Sequence, residues 1–181
     1  MCNTQYIVRK WIWLVLFGGL ACGSPPFVVP EPGTPATDFT LKDQYDTEFR
    51  LSQFRGVNVL LVGCDKDSIN LAETWLNLFR ERYVDDFQIF PIITDLPFFS
   101  RLFLKSRIKS KLRGREGESR WPSIFLDWDG KVSRQYGMRS EICTVAIIDR
   151  LGMVRLIHSL GLPDEEKIQA TIDMIDQQVK P

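Results

Sequence analysis

The chain has 181 residues, 44% of them apolar and 25% charged, with 23 basic residues against 23 acidic. That length and composition describe one ordinary globular domain with a proper core. A net charge of zero removes any global case for nucleic-acid binding.

The first ten residues, MCNTQYIVRK, contain two cations and no acid, and the 11 residues WIWLVLFGGLA follow. A bilayer span needs roughly 20 apolar residues, so this stretch fits the charged and apolar regions of a secretory signal covering residues 1–21. Gly19-Leu20-Ala21 running into Cys22 resembles a bacterial lipobox, in which the cysteine is lipidated and becomes the mature N-terminus. The departure is Gly19, where that pattern usually has leucine. An ordinary signal peptide or an uncleaved anchor is the alternative. Either way the folded part is expected outside the cytoplasm, in the cell envelope and at a membrane. Removing residues 1–21 takes Arg9 and Lys10 and no acid, leaving 21 basic against 23 acidic residues. Cys64 and Cys143 then remain as the thiols, and an oxidising compartment would allow them to pair.

Residues 22–35 form a proline-rich tether, because five prolines between Ser24 and Pro35 favour extended polyproline geometry. Docking of Phe27-Val28-Val29 as a structured arm is the alternative. From Ala36, Phe39, Leu41, Phe49 and Leu51 alternate with polar residues around Lys42–Asp46, which predicts a β-hairpin. Val57–Val62 reads as a central strand covered on both faces. Asp67 or Ser68 caps a helix carrying Leu71, Trp75, Leu78 and Phe79 at spacings of three and four. Phe87–Ile93 is a second buried strand, and residues 98–113 form another helix with Leu104, Ile108 and Leu112 on one stripe.

Gly114–Ser119 reads as a polar loop, Ser123–Leu126 as a strand, Asp127–Gly130 as a turn, and Lys131–Tyr136 as a short continuation of that strand. Val145–Ile148 is a buried strand joined by a turn at Asp149–Gly152 to a partner at Met153–His158. A helix from Asp164 to Val179, with Ile168, Ile172 and Ile175 inward, closes the chain. The expected fold is α/β over residues 36–181, with a central mixed sheet, an N-terminal hairpin extension and helices on both faces.

Asp38–Asp43 with Leu51–Gly56, then Pro122–Asp127 with Asp129–Val132 and Tyr136-Gly137, then Val145–Asp149 with Gly152–Val154, occur in an order that resembles the redoxin branch of the thioredoxin-like fold. This is the alkyl hydroperoxide reductase and thiol-specific antioxidant group. The likeness runs from about Ala36 to the end. It implies a thioredoxin-like sandwich and, in active members, a nucleophilic cysteine at the start of the helix after the first central strand. Helix N–H groups and the macrodipole stabilise a thiolate there. By that correspondence the nucleophile position is Ser68 and its CxxC partner Leu71, and neither is a thiol. A serine hydroxyl is too weak an acid to substitute, so Ser68 reads as a helix N-cap.

Relatives place a cis-proline or an arginine before the late strand, against the active cysteine; counting back from Asp149, that position is Cys143. Cys64 and Cys143 would then be close. They could be two buried inert thiols, a structural disulfide, or a displaced redox pair. Two functions stay open. The first is a membrane-tethered, envelope-facing domain with a degenerate site that acts in binding or assembly with an unidentified protein partner. The second is a thiol peroxidase or thiol-disulfide oxidoreductase using Cys64 with Cys143 as resolving partner.

His158, the one histidine, falls on a predicted edge strand and reads as a surface or core residue. One His and two thiols lack zinc-ligand spacing, and no phosphate loop precedes a helix, so no metal or cofactor is expected. Asp127, Asp129 and Asp149 sit in turns and should cap backbone amides. Arg101–Arg120 carries eight basic residues against Glu116 and Glu118. It reads as a solvated helix face, or alternatively as a contact for anionic headgroups.

Overall fold

The structure is a computed structural model and describes residues 29–94, 96, 105–114, 123–138 and 142–179. The leader, Cys22, most of the tether, residues 98–104 and the loop beyond Gly114 lie outside the described residues. The same holds for much of the basic stretch 101–120. No helix among the described residues is long and apolar enough to cross a membrane.

Strand β1 (Thr40–Asp43) and strand β2 (Glu48–Arg50) form the expected hairpin, with Leu41 opposite Phe49. Asp43 Oδ1 accepts the amides of Tyr45 and Thr47 and so closes the turn. Strand β3 (Val59–Asp65) leads into helix α1 (Ile69–Tyr83) and parallel strand β4 (Gln88–Thr94). Helix α2 (Lys105–Gly114), strand β5 (Phe125–Leu126) and helix α3 (Lys131–Gln135) follow. Antiparallel strands β6 (Cys143–Ile148) and β7 (Val154–Leu160) and helix α4 (Glu165–Val179) complete the order. The strands form one mixed seven-stranded sheet in the order β2-β1-β5-β4-β3-β6-β7.

Every residue of β3 is buried, as a central strand covered on both faces requires. Its side chains alternate between two cores. Val59 and Leu61 join Phe39, Phe49, Tyr136 and Ile148 on one face. Leu60, Val62 and Cys64 join Trp75 and Phe79 of α1, Val145 of β6 and Ile175 of α4 on the other. The mixed sheet with helices on both faces is the thioredoxin-like α/β arrangement anticipated from the residues.

Two local readings change. Lys131–Gln135 is a helix, not a continuation of β5. Gly130 takes a left-handed φ of 62°, which ends the extended chain. The Asp127 carboxylate then accepts the amides of Lys131 and Ser133 and the Ser133 hydroxyl, which fixes the first turn. Val132, Ser133 and Tyr136 are buried, and their one- and three-residue spacing puts them on one helical side. Helix α2 is less solvated than its charge suggests. Lys109 is buried and paired with Asp46, and Arg113 donates to the Gln44 carbonyl, so both hold the β1–β2 turn.

The end of the proline-rich stretch lies on the domain. Gly33 N donates to Val154 O, Val154 N to Thr34 O, and Ala36 N to Gly152 O. Val29 sits close to Gly137, where an added Cβ would meet Val29 Cγ2 at 3.0 Å.

Candidate functional site

The carboxyl end of β3 and the amino end of β6 meet beneath the start of α1. The β3–β6 register pairs Gly63 with Thr144, so the next residue outward on each strand is a cysteine. Cys64 and Cys143 are joined as a disulfide, with an S–S distance of 2.03 Å and Cα atoms 4.3 Å apart. That Cα separation suits an antiparallel pair outside the ladder hydrogen bonds. Of the three arrangements open from the residues, two free thiols is the one the structure removes. Cys64 retains 3% exposure and Cys143 none. Both sulfurs lie on the sheet face packed by Trp75, Leu76 and Leu160.

The loop from β3 to α1 is set by a residue that periodicity does not pick out. The buried Asp65 carboxylate accepts the amides of Asp67 and Ser68 at 3.0 and 2.6 Å. Its signal was compositional: Asp-Lys-Asp-Ser directly after an apolar run is turn chemistry. Ser68 does occupy the N-cap position of α1, and its carbonyl accepts the Ala72 amide. Its hydroxyl makes no capping bond, so that part of the N-cap expectation fails. Asp65 already turns the Ser68 backbone into place.

Cys64 also borders a small apolar cleft of ≈ 40 Å³ between α1, β4 and α2, where Ile69, Ala72, Pro91 and Leu112 approach it. A larger depression of ≈ 230 Å³ adjoins it past Ile69 and Ile93, with Lys66 and Asp67 at its rim. Cys143 does not reach either. Met138 covers the other side of β3, and an added Cβ at Gly63 would lie 2.2 Å from its sulfur. Sequence reasoning found both cysteines and missed Asp65 and Met138.

The remaining candidates take structural places. His158 lies on edge strand β7 opposite Val145, two positions from Cys143, and burial pushes its pKa down. Asp127 is buried, and desolvation pushes its carboxyl up against the lowering effect of the Ser133 hydrogen bonds. Asp149 caps the β6–β7 turn by accepting the Leu151 and Met153 amides. Burial opposes its ionisation, yet those amides and Arg155 outweigh that and hold its pKa low. No group of His, Cys, Asp and Glu suited to a metal ion occurs among the described residues.

Residues 32–157 match the model of the AhpC/TSA family. The chain belongs to that family. Solved structures similar to this AhpC/TSA chain include a candidate thiol:disulfide interchange protein, DsbE, from Chlorobium tepidum. It has a TM-score of 0.62 and 20% identity, covering 83% of this chain and 99% of that one. A thiol peroxidase from Chromobacterium violaceum matches with a TM-score of 0.59 and 15% identity over 84% and 90% of the two chains. An exposed lipoprotein thioredoxin from Streptococcus pneumoniae matches with a TM-score of 0.54 and 24% identity over 76% and 98%. At these identities the likeness establishes the thioredoxin-like fold. No curated protein matches the chain.

Proposed function

We propose that this AhpC/TSA-family domain is tethered to a membrane and faces the cell envelope. In this reading its active site is degenerate and it works by binding or assembly with a protein partner. The observation that carries this is the disulfide between two central strands. The residue pair that could do thiol chemistry is bonded and buried, while the helix start holds Ser68. A buried disulfide is also what an oxidising compartment permits, which supports the extracytoplasmic placement. The exposed lipoprotein thioredoxin among the structural neighbours is consistent with a lipid at Cys22.

The test is turnover. The purified chain should neither reduce insulin disulfides with a dithiol donor nor consume hydroperoxide. Turnover that disappears in Cys64→Ser would refute the binding reading. Such a result would establish the second one, which a single feature favours: Cys64 borders the apolar cleft and Cys143 does not. In that exchange a donor dithiol first reduces the Cys64–Cys143 bond and is itself oxidised. The Cys64 thiolate then attacks a substrate disulfide, and one substrate sulfur leaves as thiolate. The Cys143 thiolate resolves the mixed disulfide, so the substrate ends reduced and the Cys64–Cys143 bond re-forms.

A further inference from the structure

The strand order β4-β3-β6 places the two neighbours of β3 on opposite sides of Cys64. The disulfide holds Cys64 Sγ on the β6 side. On the β4 side lies the apolar cleft of ≈ 40 Å³, walled by Pro91 and Ile93 of β4, Ile69 and Ala72 of α1 and Leu112 of α2. A cavity of about 10–15 Å³ already holds a water molecule. A thiol is little larger than water, so the cleft takes one with room left over. Its walls are apolar, which suits a neutral thiol. Cys143 has no such outlet. It is fully buried, borders neither cavity, and pairs with Leu160 on the side away from β3.

On reduction, a dithiol donor cleaves the Cys64–Cys143 bond through a mixed disulfide, ends as its own disulfide, and leaves two thiols on the chain. Unbonded sulfurs repel at bonding distance, so one of them has to move away. Around Cys143 the core is closed, and displacing packed side chains there is costly. Around Cys64, rotation about Cα–Cβ to another staggered well carries Sγ across β3 into the open cleft. We propose that the Cys64–Cys143 pair is a redox switch on this cleft. In the oxidised chain the cleft is open. In the reduced chain the Cys64 thiol occupies its floor between α1, β4 and α2, and becomes the reachable thiol of the pair. The switch does not depend on whether the domain binds a partner or turns over disulfides, so the turnover assay and the test below fail independently.

The test compares the full chain, with isotope-labelled methyl groups, before and after a phosphine reductant. Reduction should shift the methyl signals of Ile69, Ala72 and Leu112, which wall the cleft. Shifts confined to Val145 and Leu160, on the Cys143 side, overturn the switch. In the reduced chain, methyl methanethiosulfonate should modify Cys64 at least about tenfold faster than Cys143, read on their peptides. Equal rates, or a faster Cys143, overturn it. Ala72→Leu closes the cleft from its α1 wall with a residue that suits a helix. With the outlet filled, the equilibrium against dithiothreitol should move at least about fivefold toward the disulfide. The oxidised variant should keep the wild-type near-ultraviolet circular dichroism. An equilibrium that stays put, or moves toward the thiols, overturns the switch. Should this variant not fold, the methyl shifts and the modification ratio in the wild-type chain decide.

Discussion

Breaking the Cys64–Cys143 bond should remove a large share of the domain's stability. The two cysteines are 79 residues apart, so the bond closes a long loop in the unfolded chain. The chain-entropy relation for that loop gives about 4.5 kcal/mol at room temperature. Spread over a domain of this size, that corresponds to a fall in melting temperature of roughly 10–18 °C. The folded side changes less, because two reduced cysteines remain small apolar groups in the same core. Urea unfolding with and without a phosphine reductant separates the two sides. The reduced protein should have a lower midpoint and a steeper slope, since an uncrosslinked unfolded chain exposes more surface. Cys64→Ala/Cys143→Ala should reproduce both changes without reductant. Superimposable curves in midpoint and slope would refute the reasoning, as would alkylation of Cys64 and Cys143 themselves in the untreated protein, read on their peptides.

Three further outcomes follow from single positions. Gly63→Ala should cost about 1–3 kcal/mol in urea unfolding, because the added methyl meets the buried Met138 sulfur and the packed site must shift. Met138→Ala in the same chain should recover part of that loss. Asp127→Ala leaves the amides of Lys131 and Ser133 without their acceptor. At about 1 kcal/mol for each of its three hydrogen bonds it should cost about 3 kcal/mol and lower helix content by circular dichroism. His158 has its pKa held below the ordinary value by burial. The unfolded chain therefore takes up the proton first as pH falls. Stability should be full above about pH 6.5 and decline as pH drops toward the lower folded value; His158→Gln should flatten that decline, and an unchanged slope in the variant would assign it to other groups.

The parts of this molecule visible in the residues are those governed by local period and strand spacing. Alternation in Phe39, Leu41, Phe49 and Leu51 specified the hairpin, and the unbroken run before Cys64 specified the central strand. Cys143 was placed near Cys64 only through the family resemblance, which puts it at the position before the late strand that faces the usual active cysteine. The β3–β6 register accounts for their meeting. Lys131–Tyr136 was misread because six residues with three apolar or small ones satisfy both a strand and a helix. The arbiter was the Asp127 carboxylate, a side chain before the segment rather than a pattern within it. The burial of Lys109 was not legible at all, since its partner Asp46 is 63 residues away in the chain. Ser68 was located correctly and its hydroxyl was not, because Asp65 already orders that loop.

Cys64 lies four positions before Ser68, where the chemistry of this chain's relatives would need a cysteine, and the physics of the two positions is opposite. At Ser68 a thiol would face the α1 amides, whose dipole favours an anion by about 1 kcal/mol. At Cys64 the side chain points into an apolar face beside Trp75 and Leu76, where burial disfavours a thiolate. Ser68→Cys therefore tests whether the fold retains the electrostatics of a reactive site without the residue. Roughly fivefold more thiolate at neutral pH, offset about twofold by lower intrinsic nucleophilicity, gives an iodoacetamide rate two to three times that of a simple thiol. With the disulfide intact, the new cysteine would be the thiol titrated in the domain. Cys64 freed by reduction should react at least about tenfold more slowly than a simple thiol. A Ser68→Cys rate at or below the simple thiol's would mean that the Asp65 carboxylate, which already takes the Asp67 and Ser68 amides, has cancelled the helix field. The site would then have lost its electrostatics along with its cysteine.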